Sequence, residues 1–200
     1  MALYSMYPDT DHYAFIGFDR QEVRAKQGRN PKKHIDLTCE PLVYKDRWQG
    51  LSVNLSDNSE GLTGDKIADI MPFKGKLFLS TKAYEVLKPL IENDGEFLSV
   101  TYERGQGYIF NPLSVAESVG GLNTDVSRKN EWNDTLAIAF HEDCVKDFAI
   151  FKTEFDLYQS VICQQSVKDA IEAAGLGGAY FTPDLGNPFT TRMSEVSRTN

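Results

Sequence analysis

Between Gly75 and Asn111 the apolar residues first repeat with a helical period and then alternate with polar ones. Lys76 to Leu79 predicts a short buried strand, and Ser80 offers its hydroxyl to the free N–H groups of a following helix. In that helix Ala83, Val86, Leu87, Leu90 and Ile91 fall at i, i+3, i+4, i+7 and i+8, while Lys82, Glu85, Lys88 and Glu92 take the other face. Pro89 has no N–H to give, so a kink or an early helix end is expected there. After Asn93-Asp94-Gly95 the period falls to two, with Phe97, Ser99 and Thr101 on one side of a strand and Leu98, Val100 and Tyr102 on the other. Arg104 to Gly107 reads as the turn into a return strand, Tyr108 to Phe110, which Asn111-Pro112 ends.

A shorter relative of this unit recurs towards the C-terminus. Val161 to Cys163 reads as a strand, Ser166 and Asp169 form a capping-box pattern, and Val167, Ala170, Ile171 and Ala174 share one helix face. Gly175 is suited to end that helix in the left-handed conformation, and Gly178 to Phe181 returns as a strand. Duplication and the recurrence of a common arrangement both account for the likeness. In either case the two units are expected to feed one core.

Elsewhere the pattern is shorter in range. Leu3 to Met6 and Tyr13 to Phe18 predict strands about a Pro8-Asp9 turn, and the basic run from Arg20 to Lys33 reads as a loop. Ile35 to Leu37, Leu42 to Tyr44 and Leu51 to Leu55 predict further strands, the last with Leu51, Val53 and Leu55 on one face. Residues 57–65 are polar and turn-rich, which suggests a boundary. Leu113 to Val119 predicts a short helix stopped by Gly120-Gly121, residues 122–135 a polar loop, and Leu136 to Phe140 and Asp147 to Phe151 strands. The expected fold class is α+β, mainly antiparallel sheets with a few short amphipathic helices. Its expected parts are a β-rich N-terminal lobe (1–60), an α+β domain (61–184) and a flexible tail (185–200).

The runs GKLFLSTKAYEVLKPL, GEFLSV, GYIFNPLSVAESV and QQSVKDAIEAAGLGGAYFTP carry a family likeness. Together, over about residues 66–183, they resemble the immunity-protein family of bacterial polymorphic-toxin systems. The shared motifs are structural: the Ser-x-Lys-Ala helix start, the Phe110-Asn111 turn and the ending from Ala174 to Phe181. The resemblance implies a protein that binds and neutralises a cognate toxin made by the same lineage. It names neither the toxin nor the contact residues.

With 41% hydrophobic and 12% aromatic residues in 200, the chain can bury a real core. The first residues have no basic region followed by an apolar run, and nowhere do about 18 apolar residues stand together, so a cytoplasmic location is expected. Cys39, Cys144 and Cys163 are widely spaced without a C-x-x-C, which fits reduced thiols. The net charge of −8 is unevenly spread: the first hundred residues hold 13 basic and 15 acidic side chains, the second hundred 8 and 14. Seven acids lie between Glu131 and Asp156. Such a field repels nucleic acid and anionic membranes and steers a basic protein towards it, although it also fits a solvated acidic face.

No catalytic constellation stands out. His141-Glu142-Asp143-Cys144 gathers potential ligands, but no second cluster lies at metal spacing. Cys39 or Cys163 could be paired with His12, His34 or His141, yet nothing nearby in sequence activates a thiolate. Gly61 to Lys66 lacks the spacing of a phosphate loop, and Gly175 to Gly178 follows a helix instead of opening one. No cofactor or metal is therefore expected. The reading is a non-enzymatic antitoxin whose partner surface is the acidic segment, in particular Glu131, Trp132, Asp134, Glu142 and Asp143. The outer face of the first helix (Lys82, Glu85, Lys88) and the basic run come next. An adaptor or structural interaction protein and an enzyme of unrecognised type remain open, as does the oligomeric state.

Overall fold

Residues 2–56 and 64–186 are described by the computed structural model. In chain order the strands are β1 (Leu3–Pro8), β2 (Gly17–Phe18), β3 (Leu51–Asn54), β4 (Ile70–Phe73), β5 (Lys76–Ser80) and β6 (Gly95–Tyr102), then β7 (Gly105–Pro112), β8 (Arg128–Lys129), β9 (Thr135–Ala137), β10 (Ile150–Phe151), β11 (Val161–Gln164) and β12 (Ala179–Thr182). The helices are α1 (Arg20–Gln27), α2 (Thr81–Ile91), α3 (Glu142–Val145) and α4 (Gln165–Ala173). The fold is α+β with mainly antiparallel sheets. One sheet runs β10-β11-β1-β12, a second runs β2-β3-β6-β7-β5-β4, and β8 and β9 form a hairpin. All neighbours are antiparallel except β3 and β6.

The two strand–helix units meet in the middle of the molecule. Leu77, Leu79, Ala83, Leu87 and Ile91 of the first pack in one cluster with Val161, Cys163, Val167 and Ile171 of the second, so both do feed one core. Because side chains alternate along a strand, Phe78 faces the other way, into a cluster with Leu51, Val53, Leu98, Val100 and Ile109. The six-stranded sheet is thus covered on both faces, which explains the uninterrupted burial of β5.

Ser80 caps α2 as its position suggests, its Oγ accepting from the Ala83 N–H at 3.2 Å. Pro89 does not end the helix, which continues to Ile91. The fully buried Leu87 and Ile91 flank the proline and hold this last turn against the core. The turn after β6 is tighter than expected: Tyr102 pairs with Gly105, leaving only Glu103 and Arg104 between the strands. In α4 the cap differs from the sequence reading. Gln164 occupies the cap position without a capping side-chain bond, and Ser166 lies inside the first turn. Gly175, at φ 60°, is left-handed as expected.

Three other expectations are corrected. The basic run is mostly the helix α1, capped by Asp19, whose carboxylate accepts from Gln21 and Glu22 N–H groups, and anchored by the buried Val23. Tyr13 to Phe18 shrinks to the two-residue β2, with Tyr13 in an isolated bridge to Lys66. Residues 35–37 and 42–44 are not strands. Their N–H groups find local turns or side chains instead of a ladder: Leu37 donates to the His34 carbonyl and Leu42 to the Glu40 carbonyl, Gln27 accepts from Ile35, and the buried Glu96 carboxylate accepts from Tyr44 at 2.8 Å and from the following Lys45 at 2.9 Å.

The stretch expected to be an N-terminal lobe contributes to both large sheets. β1 lies between β11 and β12, while β2 and β3 extend the six-stranded sheet. Most of the expected boundary (57–63), with Gly61, and most of the expected tail (187–200) fall outside the described residues.

Two lysines hold part of the long connection between β2 and β3. Lys76 Nζ, from β5, donates to the carbonyls of Thr38 at 2.5 Å and Lys74 at 3.1 Å; Lys152 Nζ, just after β10, donates to the Cys39 carbonyl at 3.1 Å. Both side chains are fully buried. Desolvation lowers the Lys76 amine to about 8 and, helped by its neighbour Lys76, the Lys152 amine to about 7.

Candidate partner-binding surface

Three of the five residues singled out as a partner surface, Glu131, Trp132 and Asp134, sit together at the tip of the β8–β9 hairpin. Asn130 shapes that tip. Its side-chain oxygen accepts from the Trp132 and Asp134 N–H groups at 3.0 and 2.8 Å, and its amide donates to the Asp134 carboxylate at 2.9 Å. The result is an Asx-type turn that fixes the backbone while Trp132 is left 76% exposed. The hairpin is itself anchored: Ala139 N–H donates to Ser127 Oγ at 3.0 Å, and Ile138 N–H to the Leu185 carbonyl at 2.9 Å.

Opposite the tip lies a turn spanning residues 153–160 that sequence reasoning did not single out. Glu117, from a short 3-10 turn, organises its first half, accepting from Thr153 Oγ1 at 2.5 Å and from the Glu154 and Phe155 N–H groups at 3.0 and 3.1 Å. Asp156 organises the second, accepting from the Gln159 and Ser160 N–H groups at 3.2 and 2.9 Å; burial pushes its carboxyl above the usual carboxylate range. Between them Leu157 and Tyr158 both adopt left-handed backbone, φ 60° and 62°. Each such non-glycine residue costs on the order of 1 kcal/mol, and this pair turns Leu157 outwards, 60% exposed. Tyr158 meets the β4–β5 turn so closely that a Cβ on Gly75 would strike its carbonyl oxygen.

A groove of about 530 Å³ runs between hairpin and turn, with Trp132, Asp134 and Lys129 on one side and Phe155, Asp156 and Leu157 on the other. The Lys129 ammonium lies 4.8 Å above the Phe155 ring and joins the walls. Two large exposed apolar side chains, Trp132 and Leu157, thus stand beside carboxylates on backbone held by many hydrogen bonds.

The other two singled-out residues, Glu142 and Asp143, do not line this groove. They are exposed in the first turn of α3, where His141 takes the cap position, so the 141–144 run opens a helix and does not form part of a strand. Among the described residues no three His, Cys, Asp or Glu side chains are grouped to hold a metal ion. Of the cysteines, Cys144 is exposed, Cys39 half-buried and Cys163 buried in the core, where desolvation pushes its thiol up to about 12. A thiol so placed is a small apolar core residue, not a nucleophile. His12 pairs with Asp9 and His34 with the Gly28 carbonyl, so each imidazole has a partner close in sequence. On the outer face of α2, Lys82 donates to the Ala174 carbonyl at 2.8 Å and Lys88 lies over the Tyr84 ring.

No helix among the described residues is long and apolar enough to cross a membrane. Residues 117–184 match the model of an immunity protein family, Imm11. The matched segment begins at Glu117, takes in the hairpin and the 153–160 turn, and extends beyond β12. No curated protein matches the chain.

Proposed function

We propose that this chain is an immunity protein that neutralises a cognate bacterial toxin by binding it, with the hairpin–turn groove as the contact surface. The observation that carries the reading is a coincidence of place. The segment resembling an immunity family is the one in which Asn130, Glu117 and Asp156 hold Trp132 and Leu157 out into solvent. An interface of ordinary size needs about 800 Å² on each partner. The groove and its rim, extended by Glu131, supply the centre of such a patch. Trp132 and Leu157 act as anchors, and the carboxylates of Glu131 and Asp134 select a toxin with a basic face and speed encounter. Glu142 and Asp143, on α3, serve as a secondary acidic contact. The chain acts by occupying the toxin, not by catalysis, and does so in the cytoplasm.

The test is co-expression with a toxin-type domain sought in the genes adjoining its own, followed by capture of the complex and measurement of its affinity. Wild type is expected to restore growth and to co-purify in fixed stoichiometry. Trp132→Ala is expected to weaken the complex by about 2 kcal/mol or more, mostly through faster dissociation. The pair Glu131→Lys and Asp134→Lys is expected to slow association and flatten its salt dependence. Protection and affinity unchanged in all three substitutions would move the interface elsewhere. The absence of any complex would sink the immunity reading itself.

A further inference from the structure

On a different part of the molecule, between the end of α1 and the segment leading to β3, lies a recess of about 250 Å³. Tyr44 and Trp48 form aromatic walls, their rings edge to face at 6.3 Å, and Trp48 is fixed by donating from Nε1 to the Ser99 carbonyl at 2.8 Å. Lys26, Lys33 and Arg47 line it, and no carboxylate does. Lys26 is committed to Glu22 and the Gly50 carbonyl. Neither Lys33 nor Arg47 is in an ion pair among the described residues, so both cations remain for a ligand.

The walls of the recess also cover unmet polar atoms. Two of the side chains lining the recess, Gln27 and Tyr44, each bury a polar atom, Nε2 and Oη, that has no hydrogen-bond partner among the described residues. Tyr44 is 8% exposed. Gln27 spends its oxygen on the Ile35 N–H, which leaves two amide hydrogens over. Leaving such groups unmet costs about 1–3 kcal/mol each; both atoms are covered, and the Glu96, Asp36 and Glu40 carboxylates act on the Tyr44 hydroxyl, so the recess presents the Tyr44 ring and not its hydroxyl.

We infer that this recess binds a small organic anion, a carboxylate or phosphate monoester on a flat apolar body. The body lies against Trp48 and Tyr44, and Lys33 and Arg47 hold the charge. The volume sits just under the range usual for ligand pockets, about 300–1,000 Å³, which limits the occupant to a compact molecule. The residues involved precede the segment proposed to meet the toxin, so the ligand site stands or falls independently of that reading.

The experiment uses intrinsic fluorescence. The chain has two tryptophans, and Trp132→Phe leaves Trp48 as the sole reporter. The full chain with that substitution is titrated with phenyl phosphate, benzoate, benzyl alcohol and inorganic phosphate. A saturable change is expected with phenyl phosphate or benzoate, the order of the two identifying the head group. Binding at least about tenfold weaker is expected for the neutral alcohol and for bare phosphate. Lys33→Gln with Arg47→Gln is expected to weaken the anions by a similar factor, whereas Tyr44→Phe, which keeps the ring, is expected to leave their affinity within about twofold. The inference is overturned by the absence of a saturable response to either aromatic anion, by equal affinity for benzyl alcohol, or by affinity unchanged in the double glutamine variant.

Discussion

The two strand–helix units, β5–α2 and β11–α4, pack their helices against each other and bury the same kind of face, yet they begin those helices differently. Ser80 closes the start of α2 with its own hydroxyl and also donates to the Asp69 carboxylate at 2.9 Å. Gln164 gives α4 no cap; its amide reaches away, to the Lys146 and Phe148 carbonyls at 2.8 Å each. Each unit stands close to one buried lysine, Lys76 in the first and Lys152 just before the second, and both lysines clasp the 38–39 segment. One unit is specified locally and the other by what surrounds it.

The largest effects test whether the units share one core. Leu87→Ala and Ile171→Ala each empty a site in the same cluster and are each expected to cost about 2–5 kcal/mol in chemical denaturation. If the core is common, the double variant departs from additivity by about 0.5 kcal/mol or more; strict additivity would mean two separate cores.

The lysine pair gives the next effect, and its sign follows from the lowered amines. In the unfolded chain both lysines stay protonated up to about pH 10.5, whereas in the folded chain Lys152 gives up its proton near 7 and Lys76 near 8. The unfolded state therefore binds more protons in between, and these two groups make stability rise with pH from about 7 to about 10.5, by on the order of 1–2 kcal/mol per pH unit. Lys76→Met with Lys152→Met is expected to flatten that slope in denaturation curves collected across the window. A slope unchanged in the double variant would show that the amines titrate normally.

Smaller changes separate the two helix starts. Ser80→Ala is expected to lower stability by about 1 kcal/mol. Gln164→Ser supplies the missing cap but deletes two bonds, so it is expected to leave stability no higher than wild type; a clear gain would mean that the Gln164 bonds contribute little. Smallest of all, Trp132→Ala is expected to move stability by no more than about 0.5 kcal/mol, because the side chain is exposed, while it weakens partner binding.

That contrast also marks what the sequence reveals. α2 is legible because its cap and its apolar face are both encoded within a dozen residues. The face of α4 is legible for the same reason. Its start is not, because the partners of Gln164 lie nearly twenty residues earlier. α1 hides under its charges, with a single buried Val23 to mark it. Ile35-Asp36-Leu37 alternates and Leu42-Val43-Tyr44 is an apolar run, both strand-like, but the Gln27 side chain, the distant Glu96 and local backbone turns take up their N–H groups instead. Of the proposed surface, Trp132 stands out as an aromatic residue in a polar loop. Leu157 does not, since what turns it outwards is Glu117, far back along the chain, and a left-handed turn without glycine.

The placement of β1 bears on how the molecule comes into being. Both neighbours of this strand, β11 and β12, are made after nearly all the rest of the chain, so during synthesis its two hydrogen-bonding edges stay open while the six-stranded sheet can already assemble. Such non-local pairing slows folding and leaves a sticky edge in the nascent chain. A polypeptide released before residue 182 would lack the strand that closes this sheet. Premature termination should then yield material that aggregates or is degraded, and not a shortened protein that still folds.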